Sequence, residues 1–229
     1  MVDPFFQADQ RTMKNRLGIN NNPDLLRIAE RELVSSRTET VDEITGDFGS
    51  AHLRAIHRHL FQDLFEWAGT MRSDVIVLEG ETFNVPDFAN LLSKGDSTFL
   101  PASHLDNGLA HIQRLANTSE ARSTDLETFA KAATEILSDL NYAHPFREGN
   151  GRTQRVFMEQ LARRAGHTLD FEGITAARNN AVSIESHGGN TLALAKMVSE
   201  SLVPEAVEKR LKAVADFEGS VVDRQSIYI

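Results

Sequence analysis

One stretch of twelve residues constrains this chain more than any other: His144-Pro145-Phe146-Arg147-Glu148-Gly149-Asn150-Gly151-Arg152-Thr153-Gln154-Arg155. It forces a tight turn between two helical segments. Upstream, Ser123-Thr124-Asp125 supplies a cap for a run carrying Leu126, Phe129, Ala130, Ala133, Ile136, Leu137 and Leu140 at helical spacing, which delivers His144 at its end. Pro145 disfavours the right-handed helical region at His144 and so ends that helix. Downstream, residues 153–165 are good helix formers that stop at Gly166, a natural helix-terminating glycine. The spacing therefore predicts a helix, a catalytic-sized loop and a second helix, both flanks apolar on one face.

The residue types inside the loop point to phosphate chemistry. Glycine enters positive φ without a Cβ clash and asparagine visits it more readily than most, so Gly149-Asn150-Gly151 can aim consecutive backbone N–H groups into one concavity. Such a nest at a helix N-terminus favours an anion through its unpaired N–H groups and the helix dipole. Arg152 and Arg155 lie three apart, on one face of the first turn, where a cation gains nothing from the dipole; two of them imply an external anion with several oxygens, a polyphosphate. Glu148 is the lone carboxylate that Mg²⁺ typically takes beside phosphate oxygens. His144, with an ordinary pKa of about 6.5, suits a general base for a hydroxyl proton, and Phe146 suits an anchor to the core. Singly, each residue reads more readily as structural or solvated. As an ordered set they compose one phosphate site with a base.

The rest of the chain supplies mostly helices. Asn22 and Pro23 are placed as N-cap and first residue of a helix through Leu25, Leu26, Ile28, Ala29, Leu33 and Val34. A second helix begins near Ser50 and carries Leu53, Ile56, His57, Leu60 and Leu64 at helical spacing as far as Gly69, with Trp67 as a core anchor. His57 and His59 read as interface or surface histidines. Residues 74–86 hold the one clear β signal, Val75-Ile76-Val77-Leu78, a turn at Gly80 and a short second run, which together predict a hairpin. Residues 89–101 read as an irregular extension. Helices are then expected from Pro101, over 171–185, over 190–202 and from Pro204 to about Phe217, followed by a linker to residue 229.

Composition narrows the partners. The 229 residues carry a net charge of −9 with no basic block, which argues against a nucleic-acid partner. There is no cysteine, hence no disulfide framework or thiolate metal site. No apolar run approaches the roughly eighteen residues of a membrane span, and the first residues lack the pattern of a cleavable signal, so a soluble protein is expected.

The central stretch resembles the motif of the Fic (filamentation induced by cAMP) family, His-x-Phe-x-(Asp/Glu)-Gly-Asn-Gly-Arg-x-x-Arg, at every defined position. The upstream helix, Trp67-Ala68-Gly69 and Arg72 also resemble that family, so the likeness covers most of the chain. It implies a mainly α fold, a Fic-type helical bundle with a β-hairpin flap, over residues 1–203, with 204–229 as a C-terminal helix and linker to a further domain. It implies AMP transfer from ATP to a Ser, Thr or Tyr hydroxyl of a target protein. By position, His144 resembles the base, Glu148 the Mg²⁺ ligand, Gly149, Asn150 and Gly151 the anion hole, and Arg152 and Arg155 the β- and γ-phosphate contacts. Arg147 joins them in the implied ATP-binding set. Val75, Ile76, Val77 and Leu78 would form the flap that aligns the target as an added strand, with Lys94 and Gly95 near the nucleotide. Asn180 would contact adenine or ribose, although an exposed helix asparagine is the simpler reading. The related Doc branch, which transfers phosphate, has Ala-Asn-Lys where this chain has Gly149-Asn150-Gly151.

In detail the stretch, Met13-Lys14-Asn15-Arg16 and the long flap are most similar to Fic domains of Bartonella translocated effectors. That implies a bacterial cytoplasmic protein or one delivered into a host cell, with a host GTPase as a family-based guess at the target. The family's inhibitory pattern, (Ser/Thr)-x-x-x-Glu-(Gly/Asn), is matched only by Thr168–Gly173, in a place that makes it a chance match. The resemblance thus implies an enzyme that runs freely or is held by a separate antitoxin-like protein supplying the glutamate. Transfer of another phosphate-containing group, or non-catalytic binding, remain the alternatives at this stage.

Overall fold

The computed structural model describes residues 3–85, 93–94, 97–171 and 173–203. The helix expected from Pro204, the linker after it and the placement of Gly95 lie outside the described residues, as does Glu172 of the inhibitory-pattern match.

Seven α-helices among the described residues carry the fold: α1 (Pro23–Thr38), α2 (Ser50–Phe61), α3 (Leu105–Ala116), α4 (Leu126–Ala143), α5 (Asn150–Arg164), α6 (Ala176–His187) and α7 (Leu192–Ser201). The strands are short antiparallel pairs: β1 (Val75–Leu78) with β2 (Glu81–Asn84), β3 (Ser93–Lys94) with β4 (Ser97–Thr98), and β5 (Thr168–Leu169) with β6 (Leu202–Val203). The mainly α expectation agrees with this architecture.

The hub is α4. Asp125 caps it by accepting from the Thr128 N–H at 2.9 Å, and it buries Phe129, Ala133, Ile136, Leu137 and Leu140. It packs against α3, α5, α6 and α7, so an apolar residue on almost any of its faces meets another helix. Burying one such Leu or Phe stabilises by roughly 1.5–3 kcal/mol. The helix α5 lies against both α4 and α2, and α1 covers α2. The loop between α4 and α5 is thereby held between two helices that each pack against several others.

Several boundaries differ from the sequence expectation: the helix expected from Pro101 begins at Leu105, the one expected over 171–185 runs Ala176–His187, and two more lie beside the loop. The second helix stops at Phe61 rather than running to Gly69. Leu64, Phe65 and Trp67 are buried all the same, but through turns, and the Leu64 carbonyl accepts from Arg16 N–H at 2.8 Å. Helical periodicity alone could not separate those two ways of burying the same residues. The helix after the loop begins at Asn150, three residues before Thr153, because Gly149 already acts as its N-cap at φ +81° and accepts from Thr153 N–H.

The hairpin forms as expected. Its two-residue turn, Glu79-Gly80, has both residues at positive φ (52° and 84°), the backbone that suits a right-twisted hairpin. Ile76 and Leu78 face the core, while Val75 and Val77 are 63% and 58% exposed. The base is pinned by Asp74, which accepts from Arg54 Nη2 at 2.8 Å and from Met71 N–H at 2.8 Å.

Candidate active site

At the end of α4 the chain turns left-handed. His144 is the C-cap residue at φ 40° and ψ 60°, and its N–H still donates to the Leu140 carbonyl at 3.0 Å. A non-glycine residue there is strained, and neighbours must hold it. Arg72 does so: its Nε donates to the His144 carbonyl at 2.6 Å, and its Nη2 donates to the carbonyls of Ala143 at 2.7 Å and Leu100 at 2.8 Å. The guanidinium is buried, which pulls its pKa down to about 10, leaving it charged at neutral pH. Arg72 N–H also donates to the Pro145 carbonyl at 2.8 Å, and Met71 bridges Phe146.

Beyond His144 the loop is stapled twice. The fully buried Phe146 ring stacks on His57 at 3.9 Å between centroids. The Asn150 side chain accepts from Phe146 N–H at 2.9 Å and donates to the Phe146 carbonyl at 2.8 Å. That side chain is therefore committed to the loop, and only the backbone of Asn150 is presented for an anion. Gly149 is the position where glycine is required, since a Cβ there would sit 2.4 Å from Phe61 Cζ at positive φ. No side chain caps α5, so the N–H groups of its first turn have no helical partner. Gln154, buried at the second turn, ties α5 back to the end of α4 through the Leu140 carbonyl at 2.9 Å.

The first turn of α5 opens on a cavity of about 830 Å³ whose walls include Glu148, Gly149, Gly151, Arg152 and Arg155, with Asn179 and Asn180 of α6 opposite. Glu148 is half-exposed, and its Oε1 accepts from Gly149 N–H at 3.0 Å and lies 3.7 Å from Arg152. Arg152 makes its tighter ion pair with Glu30 of α1 and lies over the Phe61 ring at 4.8 Å. Arg155 donates to the Ile174 carbonyl at 3.3 Å. Glu159, one turn further along α5, also lines the cavity, and burial pushes its carboxyl up to about 7. Glu148, a half-exposed carboxylate at the start of α5, fits a Mg²⁺ ion that takes its remaining ligands from phosphate and water.

Residues 47–162 match the Fic/DOC family. The chain belongs to that family. It is 32% identical to protein adenylyltransferase VbhT of Bartonella schoenbuchensis over 91% of this chain and 41% of that protein. It is 33% identical to probable protein adenylyltransferase y4lH of Sinorhizobium fredii over 84% of this chain and 92% of that protein. A crystal structure of BepC, a VirB-translocated effector of Bartonella tribocorum with bound AMPPNP, superposes with a TM-score of 0.80 at 30% identity, covering 87% of this chain and 96% of that one. The chain spans about two fifths of VbhT and a third of the adenylyltransferase of Bartonella henselae. No helix among the described residues is long and apolar enough to cross a membrane.

Of the residues singled out in the sequence, the cavity gathers Glu148, Gly149, Gly151, Arg152 and Arg155. His144 stands at the other end of the loop with its ring stacked on Phe99 at 3.9 Å. Arg147 lies outside that cavity: its guanidinium pairs with Asp3 at 2.7 Å, lies over Phe6 and, with Glu148 and Arg152, lines a neighbouring cavity of about 630 Å³. Phe146 beside it points into the core, and the N-terminal segment supplies the Arg147 counter-charge. Asn180 is exposed at the cavity rim. Thr168 and Leu169 form strand β5 rather than a helix, in keeping with a chance match to the inhibitory pattern.

Of the two readings of His57, interface or surface, the structure takes the interface between α2 and the loop. His57 is fully buried; Nδ1 accepts from Gly69 N–H at 2.8 Å, which leaves Nε2–H to donate to the Glu148 carbonyl at 3.0 Å. Burial holds its pKa down to about 3, so the imidazole is neutral. Its position on the apolar face of α2, in step with Leu53, Ile56 and Leu60, was the available signal. Nothing in the sequence pointed to Glu30.

Proposed function

We propose that this chain is a protein adenylyltransferase that moves AMP from ATP to a hydroxyl side chain of a target protein. The observation that carries the reading is the loop itself, with a strained, braced histidine at one end and an uncapped glycine helix start bearing two arginines at the other. The names of the relatives and the AMPPNP in BepC support an adenine nucleotide.

The polyphosphate lies against the backbone N–H groups of Asn150, Gly151 and Arg152, where the α5 dipole favours negative charge. Glu148 would hold Mg²⁺, which when bound screens the phosphates and polarises them toward attack. His144 accepts the target hydroxyl proton as that oxygen bonds to the α-phosphorus. The bond from the α-phosphorus to its bridging oxygen breaks, and pyrophosphate leaves with the electron pair. Arg152 and Arg155 stabilise the charge developing on it. The backbone of β1, at Val75, Ile76, Val77 and Leu78, receives the target segment as an added strand.

A host GTPase as target, an antitoxin-like protein donating a glutamate to the arginines, and delivery from the bacterial cytoplasm into a host cell belong to the same reading. They rest on resemblance alone. The test is incubation with Mg²⁺ and ATP labelled in the α- or the γ-phosphate, in bacterial and host lysates, beside His144→Ala. Protein labelled only from the α position, and only by the wild type, is expected. Label from the γ position would assign phosphate transfer instead.

A further inference from the structure

Two residues outside the motif meet at its histidine. Arg72 lies just before strand β1, and Phe99 lies just after strand β4. Arg72 grips the backbone: its three side-chain hydrogen bonds converge on the carbonyls of Ala143, His144 and Leu100. Phe99 grips the side chain, with its ring parallel to the His144 imidazole at 3.9 Å and 9°. Phe99 is itself wedged, since His187 of α6 packs edge-on at 5.6 Å and the next residue, Leu100, donates its N–H to the Tyr142 carbonyl at 2.9 Å. Neither residue lines the phosphate cavity.

We infer that Arg72 and Phe99 are positioning residues for His144, one holding its backbone in the left-handed conformation and the other fixing the plane of its ring, so that the chain just before β1 and just after β4 sets the geometry of proton transfer. The chemistry favours such a device. A base must stand within hydrogen-bond reach of the hydroxyl it deprotonates, and a residue at positive φ with a freely turning ring would sample many wrong poses. The arginine fork suits three carbonyls from two directions in a way that a lysine ammonium does not. The flat apolar face of Phe99 restricts the plane of the imidazole.

This inference rests on the reading of His144 as the base, and its test separates the two. The ring protons of His144, assigned by their loss in His144→Ala, should show cross-relaxation to the Phe99 ring in the wild-type protein and an upfield ring-current shift. In Phe99→Leu that shift should vanish, while Phe99→Tyr should retain it. With turnover measured alongside, Phe99→Leu should lower kcat by about 10²-fold while leaving ATP affinity unchanged, and Phe99→Tyr should restore most of the loss. Arg72→Lys should move the same His144 signals, reading the contact from the backbone side should the Phe99 variant fold poorly. Wild-type His144 signals without a Phe99 contact would overturn the inference outright. So would Phe99→Leu with wild-type signals and kcat. Transfer that survives His144→Ala would instead remove the base assignment, leaving the ring contacts to be judged by their own signals.

Discussion

The imidazole of His57 stacks on the ring of Phe146 at 3.9 Å and 16°, and the same histidine donates to the carbonyl of Glu148, two residues further on. One buried side chain on α2 thus fixes the height of the loop floor and the direction of its carboxylate-bearing residue. It can do so only while neutral, because protonation would put a charge among Phe61, Trp67 and Phe146 and remove the acceptor for Gly69.

That dependence has a sign. The folded-state pKa of His57, about 3, lies below its ordinary 6.5, so the contribution of neutral His57 is fully present above pH 6.5 and is lost as pH falls from there toward 3. At pH 5 the loss is about 2 kcal/mol. Urea midpoints at pH 8 and pH 5 should fall more steeply for the wild type than for His57→Phe, which lacks the titrating group. The variant should nevertheless be less stable at pH 8, since Gly69 N–H and the Glu148 carbonyl lose their partner at a cost of about 1–3 kcal/mol each. Equal pH slopes would contradict this account.

The two loop glycines should separate cleanly. A Cβ at Gly149 meets the Phe61 ring at positive φ, whereas one at Gly151 has Asn179 Nδ2 at 3.9 Å as its nearest neighbour. Gly149→Ala should destabilise the fold by about 1–3 kcal/mol. Gly151→Ala should melt like the wild type and weaken only nucleotide binding. A thermal melt with and without ATP·Mg²⁺ distinguishes the pair.

Much of the site was legible in the sequence for a physical reason. Phosphate chemistry here depends on backbone conformation and local spacing, and His144, Glu148, Gly149, Arg152 and Arg155 lie within twelve residues whose turn propensities dictate the loop. Helix identities were legible wherever a cap coincided with an apolar period, as at Asn22 and Asp125. What escaped was long-range. His57 sits 91 residues before its partner Glu148, and Glu30 sits 122 residues before Arg152. The placement of Arg147 outside that cavity had the same origin, since it pairs with Asp3 at the far end of the chain.

Glu159 offers a test of the cavity interior. Burial raises its carboxyl from the ordinary 4.5 to about 7, with Asp170 and Asp42 adding to the rise against Arg163 and Arg155. A raised carboxyl favours the protonated folded state, so the penalty is absent below pH 4.5 and grows to its full value as pH rises through 7. Glu159→Gln should match the wild type at pH 4 and exceed it at pH 8 by on the order of 1–2 kcal/mol, the partial exposure moderating the effect. Denaturant midpoints at the two pH values decide it.

Glu30 occupies Arg152, so an incoming phosphate must displace a carboxylate. Glu30→Gln frees the guanidinium, and ATP should bind several-fold tighter by titration calorimetry, in line with about 1 kcal/mol for a partly exposed pair. Weaker binding would instead mean that Glu30 holds Arg152 in place for the nucleotide.

The most direct measurement of the central claim is the mass of the product. The wild-type chain and His144→Ala should each be incubated with ATP, Mg²⁺ and lysate, and modified peptides identified by mass spectrometry. The account predicts a hydroxyl side chain carrying AMP, formed by the wild type and missing with His144→Ala. A phosphate-only adduct, or an AMP adduct formed equally by His144→Ala, would contradict it.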